Sequence, residues 1–206
     1  MSIYDKLLLS PLTDTVCSLG MIRENRMKVT PFAEGVVLEP GIGSGLNLAH
    51  YDREAVKKVI GVDPQEDLLN LARRRAAQAD IDVEFLGQSA EALPLEDNSV
   101  DTVLLTYTGC SIPDVAAALG EFRRVLKPSG RLLFCEHGRS HEHRVARFQD
   151  VANKLWQPLA GGCHLNRDIE ALLKAAGFGM EKCERFYAMP RPKFISYHYI
   201  GAARPG

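Results

Sequence analysis

Glu39 stands two residues before Gly41, the first of three glycines at alternate positions, Gly41, Gly43 and Gly45. The apolar run Val36-Val37-Leu38 leads into them, so the segment reads as a buried strand, a tight loop and a helix start. Glycines there permit positive φ and let a ligand lie against bare backbone, since no Cβ stands in the way. The spacing bears on which ligand. A dinucleotide loop wants glycine at its first, third and sixth positions, with a pyrophosphate on the helix N-terminus, and here the sixth position is Leu46. The Glu39 carboxylate would also repel phosphate, and a cationic ligand suits it better. Glycine-rich loops serve several cofactor classes, so this loop by itself leaves the cofactor open.

Eighteen residues after Gly45, the run Val59-Ile60-Gly61-Val62-Asp63-Pro64 ends a second strand with an acid. In a doubly wound sheet, ligands bind outside the carboxyl ends of the strands. Asp63 therefore faces the same crevice as the glycines, placed to accept hydrogen bonds from a ribose, and it can also cap the following helix. His137 follows the fifth strand-like run, where a neutral imidazole could take a proton from a thiol, amine or hydroxyl; a hydrogen bond to a loop would use it equally well. His164 lies in a glycine-led loop that could fold over the same mouth or simply lead a helix into solvent. Cys110, just past the fourth strand, reads as a small pocket-lining residue. Cys163 and His164 offer two ligands, short of a zinc site, so no metal is expected.

The elements that must position these groups alternate. Strand-like runs fall at Val36 to Glu39, Lys58 to Val62, Ile81 to Leu86, Val100 to Thr106 and Arg131 to Glu136. Helical patterns lie between, over Asp67 to Ala77 and Asp114 to Leu126. Alternation of this kind predicts an α/β fold with a parallel sheet covered on both faces. Beyond residue 140, Val145, Phe148, Ala152, Leu155 and Leu159 mark one apolar helix face, ended by Pro158 and Gly161-Gly162. Trp156, Phe148 and Leu155 are expected in the core. A second helix is predicted from an Asn166 N-cap to Gly177. Met180 to Tyr187 and Phe194 to Ala203, separated by Pro190-Arg191-Pro192, predict a terminal hairpin with an antiparallel edge strand, on which Tyr197 and Tyr199 share a face.

Length and composition set the bounds. The 206 residues suit one domain, 1–206, with a helical cap at 1–34, a cofactor-binding core at 35–137, and substrate-side helices and a hairpin at 138–206. With 25 basic and 26 acidic side chains, the chain shows no electrostatic footprint for nucleic acid. Five cysteines, none spaced Cys-x-x-Cys, argue against a disulfide framework. No signal peptide or membrane span is expected, which points to the cytoplasm, although Leu7-Leu8-Leu9 could touch a membrane surface. The oligomeric state is not legible.

Two further segments complete the pattern. Gly87-Gln88-Ser89-Ala90-Glu91 precedes Asn98-Ser99-Val100-Asp101, and Lys127-Pro128-Ser129-Gly130-Arg131 turns from a helix into a strand. With these, residues 36–136 resemble the class I S-adenosylmethionine-dependent methyltransferases of the type 11 group. The resemblance implies a doubly wound, Rossmann-like sheet of seven strands, six parallel and the last antiparallel. It implies S-adenosylmethionine as cofactor and S-adenosylhomocysteine as product. Glu39 and the backbone of Gly41, Gly43 and Gly45 would hold the methionine portion, Asp63 the ribose and Pro64 a face of the adenine. Ser89 and Ala90 would border the adenine edge, while Thr106 and Tyr107 would lie under the methionine. Relatives commonly carry Asp-Ala-Glu where this chain has Ser89-Ala90-Glu91, so the adenine contact through Ser89 is weaker. Tyr4, Arg23 and Arg26 could reach the methionine carboxylate or an acidic acceptor, but the expectation is that they are solvated surface residues.

Arg23 to Arg26, Cys110-Ser111-Ile112-Pro113, Glu136-His137-Gly138 and Gly161-Gly162-Cys163-His164-Leu165 extend the likeness. Together they look like a bacterial branch similar to the human methyltransferase-like enzymes that alkylate small thiols. The membrane-anchoring N-terminus of those enzymes is not expected here. The resemblance implies methyl transfer to a small-molecule acceptor, with a thiol favoured; His137 and His164, by their positions, are the candidate catalytic groups. An amine, a hydroxyl or a lipid headgroup is the alternative acceptor. Two readings of other classes stand beside it: a nicotinamide-dependent oxidoreductase, and a protein that binds S-adenosylmethionine without turnover.

Overall fold

The structure, a computed structural model, describes Ser18 and residues 20–206. Tyr4, Leu7-Leu8-Leu9, Pro11 and Cys17 lie outside the described residues. Seven strands form one sheet: β1 Gly35–Pro40, β2 Val56–Val62, β3 Val83–Leu86, β4 Val100–Thr106, β5 Leu126–His137, β6 Phe178–Tyr187 and β7 Tyr197–Pro205. Their order is β3-β2-β1-β4-β5-β7-β6, with β7 antiparallel to both its neighbours and the other pairings parallel. The expected alternating sheet is present. In the parallel strands, consecutive apolar residues divide between the two faces. Leu38, Ile60, Val103 and Leu132 join one core. Their chain neighbours Val37, Val59, Leu104 and Leu133 join the other.

Helices α1 Gly20–Arg26, α2 Glu66–Ala79, α3 Val115–Val125, α4 His143–Leu159, α5 Ile169–Ala175 and α6 Lys193–Ser196 connect and cover the strands. α3 starts as predicted, because the Asp114 carboxylate accepts from the Ala117 amide at 3.0 Å. α2 ends at Asp80, which adopts a left-handed conformation with φ 54°.

Several expectations need correction. No α-helix follows the glycine loop; a short 3-10 turn at Leu48–His50 stands there instead. The side chains of Asn47 and Tyr51 turn back to Glu39 at 2.8 and 2.6 Å, which draws this segment inward before a helix can extend. α5 is capped by Asp168, whose side chain accepts from the Ala171 amide at 3.1 Å, while Asn166 instead donates to Asp150 at 2.9 Å. The antiparallel strand is not at the edge. β7 is inserted between β5 and β6, and the burial pattern explains it: Tyr197 to Gly201 are buried, whereas the charged Glu181, Lys182, Glu184 and Arg185 put β6 at the rim. α4 runs through Pro158 and stops at Gly161 and Gly162, both with positive φ. Its stripe is not core: Phe148 and Leu155 are 54% and 75% exposed. Among the described residues, no helix is long and apolar enough to cross a membrane.

Candidate active site

Strand order reverses between β1 and β4, the place where an α/β sheet opens a crevice at its carboxyl edge. Glu39 and Pro40 end β1 on one side of that crevice, and Thr106 ends β4 on the other. β2 delivers Asp63 beside them, and the Gly41 amide continues the β1–β2 pairing by donating to the Val62 carbonyl at 2.7 Å.

Gly41 has φ +64°, and a Cβ on it would meet the Thr108 side chain at 2.2 Å, so only glycine fits. Gly43, at φ +53°, looks into open space, with only the Gly41 carbonyl near at 3.8 Å. It is the point at which a ligand could press on bare backbone. Asp63 is 6% exposed and accepts from the Gly43 amide at 3.1 Å and the Gln65 amide at 2.8 Å. Burial raises its pKa above the ordinary aspartate value, and these two amides work against that shift.

Glu39 is 2% exposed. One carboxylate oxygen accepts from Asn47 and the other from the Tyr51 hydroxyl. Burial raises its pKa, opposed by Tyr51, Asn47 and the nearby Arg26. Asn47 also donates to Thr106 Oγ1 at 2.9 Å. Arg26, at the end of α1, donates to Thr106 Oγ1 at 2.7 Å and to Asn47 Oδ1 at 3.1 Å. Its guanidinium lies 5.1 Å from the Tyr107 ring centroid. Arg26 is therefore buried in the donor end of the cleft, contrary to its expected place on the surface, while Arg23 is exposed as expected. The reason is electrostatic, since a carboxylate as buried as Glu39 needs a cation within reach. Arg26 Nε is buried without a partner among the described residues.

The remaining predicted residues divide. Tyr107 is half-buried with φ +53°, and its hydroxyl accepts from Asn25 at 3.3 Å. Ala90 is buried in the core. Pro64 and Ser89 are exposed, and the Ser89 hydroxyl bonds the Glu91 carboxylate. Thr30 and Tyr51 were missed from sequence, Arg26 was named there but expected on the surface, and Asn25 and Asn47 were visible only as parts of the Arg23 to Arg26 and glycine segments.

One strand further along, three segments meet. His137 at the end of β5 and Cys163 in the turn after α4 approach at 3.2 Å, Nε2 to Sγ. Cys110, in the loop after β4, completes a group whose ligand atoms all lie within 4.8 Å of one another. Cys163 is held well below the ordinary thiol range, first by the Cys110 thiol that donates to it and then by His137. Cys110 is raised correspondingly. Burial disfavours charge on His137, but the Cys163 thiolate outweighs it and raises that imidazole. His164 stands alongside, its Nδ1 3.0 Å from the Cys110 carbonyl. A carbonyl only accepts, so Nδ1 donates to it, which leaves Nε2 as the lone-pair nitrogen of the neutral tautomer.

Glu136 fastens this end. Its Oε1 accepts from the Thr108 and Gly109 amides at 2.8 and 2.9 Å, and its Oε2 is buried without a partner. Arg167 donates to the carbonyls of Gly109 and Ile112 at 2.6 and 2.7 Å, closing the loop from the other side. Sequence reasoning paired Cys163 with the adjacent His164; the fold pairs it with two residues from distant segments. The four described cysteines are free thiols.

Comparison with known proteins agrees with this architecture. A family model described as a methyltransferase domain matches residues 38–134. The thiol S-methyltransferase TMT1B of Rattus norvegicus is 31% identical over 157 residues, covering 73% of this chain and 63% of its own length. A demethylmenaquinone methyltransferase of Clavibacter sepedonicus is 31% identical over 161 residues, covering 76% and 62%. The chain thus spans a little over three-fifths of these relatives. The crystal structure of the YcgJ protein from Bacillus subtilis superposes with TM-score 0.63 at 25% identity, covering 75% of this chain and 67% of that one. With the glycine loop, the acid ending β2 and the seven-stranded order all in place, residues 38–134 match the methyltransferase-domain family and the chain is similar to relatives named as methyltransferases.

Proposed function

We propose that this protein transfers the methyl group of S-adenosylmethionine to the sulfur of a small thiol. The observation that carries the reading is the switch-point crevice, where two buried carboxylates flank a glycine loop open at Gly43. One carboxylate suits an ammonium and the other a ribose diol. In this reading the backbone from Gly41 to Gly45 and Glu39 hold the methionine portion, and Arg26 Nε meets its carboxylate. Asp63 binds the ribose, Pro64 covers the adenine, Ser89 and Ala90 border its edge, and Thr106 and Tyr107 lie beneath the sulfonium.

Transfer from a sulfonium is an in-line displacement, and alignment in a closed site can lower such a barrier by roughly 7–11 kcal/mol. The acceptor must also lose a proton. His164, with its free Nε2, is the more direct base, and His137 serves only once its contact with Cys163 is broken. The thiol is favoured because a sulfur- and imidazole-lined mouth adjoins β4, and a relative of similar sequence is named for that chemistry.

The test incubates the full chain with S-adenosylmethionine and panels of thiols, amines and hydroquinones, with product mass measured. Methylation of thiols is expected. Products from amines or hydroquinones alone would overturn the thiol assignment, and S-adenosylhomocysteine binding without any product would favour a non-catalytic binder.

A further inference from the structure

Cys110, His137 and Cys163 come from three segments, yet present two sulfurs and an imidazole nitrogen to a common point. We propose that Cys110 Sγ, His137 Nε2 and Cys163 Sγ bind a zinc ion whose fourth position is open to the methyl acceptor. Zinc bonds of about 2.3 Å to sulfur and 2.0–2.1 Å to nitrogen make the edges of a tetrahedron about 3.5–3.8 Å long. The three atoms lie within 4.8 Å of one another, with the His137–Cys163 edge at 3.2 Å, so small side-chain adjustments close the geometry. Two thiolates and an imidazole form a set that zinc favours over harder divalent cations. Three protein ligands leave the open position typical of a catalytic centre rather than a closed structural one.

The surroundings support it independently. Glu136, adjacent to His137, is fully buried, with one oxygen satisfied by the amides just before Cys110 and the other unpartnered. Charges also balance: two thiolates offset the ion, and Glu136 offsets Arg167, whose guanidinium is fixed on the carbonyls of Gly109 and Ile112. Cys110 is buried while His137 and Cys163 are half-buried, so the group opens to one side.

The inference extends the thiol reading. A thiol entering the fourth position would bond zinc through sulfur and release its proton to His164 Nε2. Its lone pair would then form the new S–CH3 bond as the sulfonium's bond to that methyl breaks, leaving the electron pair on S-adenosylhomocysteine. The thioether, a poorer ligand, would depart, and the zinc would be unchanged.

Metal binding is tested without donor or acceptor, so its outcome is separable from that of the thiol assignment. The reduced, metal-stripped full chain is titrated with Co2+ and then with Zn2+. One cobalt per chain is expected, with thiolate-to-cobalt charge-transfer bands and tetrahedral ligand-field bands that zinc abolishes. Cys110→Ser and Cys163→Ser should each weaken metal binding by about a hundredfold or more, and His137→Ala by at least about tenfold, whereas Cys183→Ser should change nothing. Wild-type chain that develops no thiolate–cobalt band overturns the proposal before any variant is made. Uptake that persists in the Cys110→Ser/Cys163→Ser double variant overturns it as well. Far-ultraviolet circular dichroism confirms that each variant compared is folded.

Discussion

At the donor end of the cleft, polar groups are joined into one network: Arg26, Asn47, Thr106, Glu39 and Tyr51 each find partners, and a single guanidinium nitrogen is left over. At the acceptor end, a thiolate, an imidazole and a second thiol crowd together above a carboxylate with an unmatched oxygen. The first arrangement is preorganised, since buried polar groups that satisfy one another hold a fixed geometry. The second keeps reactive groups under-satisfied and open on one side. On the proposed function the contrast separates holding a cofactor from receiving a substrate, and mutations at the two ends should separate in the same way.

The largest effect is expected from Gly41→Ala. A side chain at φ +64° costs about 1–2 kcal/mol, and the Cβ would also strike Thr108. Calorimetry should find S-adenosylhomocysteine binding abolished, and retained affinity would show that the loop is not the donor seat. Next comes Asp63→Asn, which exchanges a charged hydrogen-bond acceptor for a neutral one. At about 1.5–3 kcal/mol, affinity for S-adenosylhomocysteine should fall roughly ten- to hundredfold in a chain that still folds. Unaltered binding would remove Asp63 from the site.

Glu39 supplies a test in pH. Its folded pKa is raised above the ordinary value of 4.5, so the native state binds the proton more tightly than the unfolded chain does. The stability this contributes is fully present below 4.5 and is lost as pH rises through the folded value. The melting temperature of the parent relative to Glu39→Gln should therefore decline from below pH 4.5 toward neutrality. A difference that grows with pH would mean that the network more than offsets the cost of burial. The smallest change in donor affinity belongs to His164→Ala at the acceptor end, which should leave S-adenosylhomocysteine affinity within about twofold while slowing thiol methylation. Equal losses of binding and turnover would merge the two ends into one site.

The donor end was largely legible in the chain because its parts are local. Glycines at alternate positions dictate a loop, and an acid closing the next strand lands beside it whenever the strands are parallel neighbours. Arg26 was named as a candidate but expected on the surface, because burial of a lone arginine leaves no periodic signature; only the depth of Glu39 reveals why it is buried there. The stripe on α4 misled for the opposite reason. Helical spacing of Phe148 and Leu155 identifies one face of the helix, but not whether that face meets the sheet or solvent.

The sequence by itself determined the alternating elements, the glycine loop, the acid after β2 and the terminal hairpin, since each depends on residues near one another along the chain. Tertiary structure alone decided that β7 slips between β5 and β6, that α1 delivers a cation to Glu39, and that Cys110, His137 and Cys163 meet. Those outcomes depend on which strand ends become neighbours, and a meeting of residues 26 or 53 positions apart is fixed by sheet order rather than by any local preference.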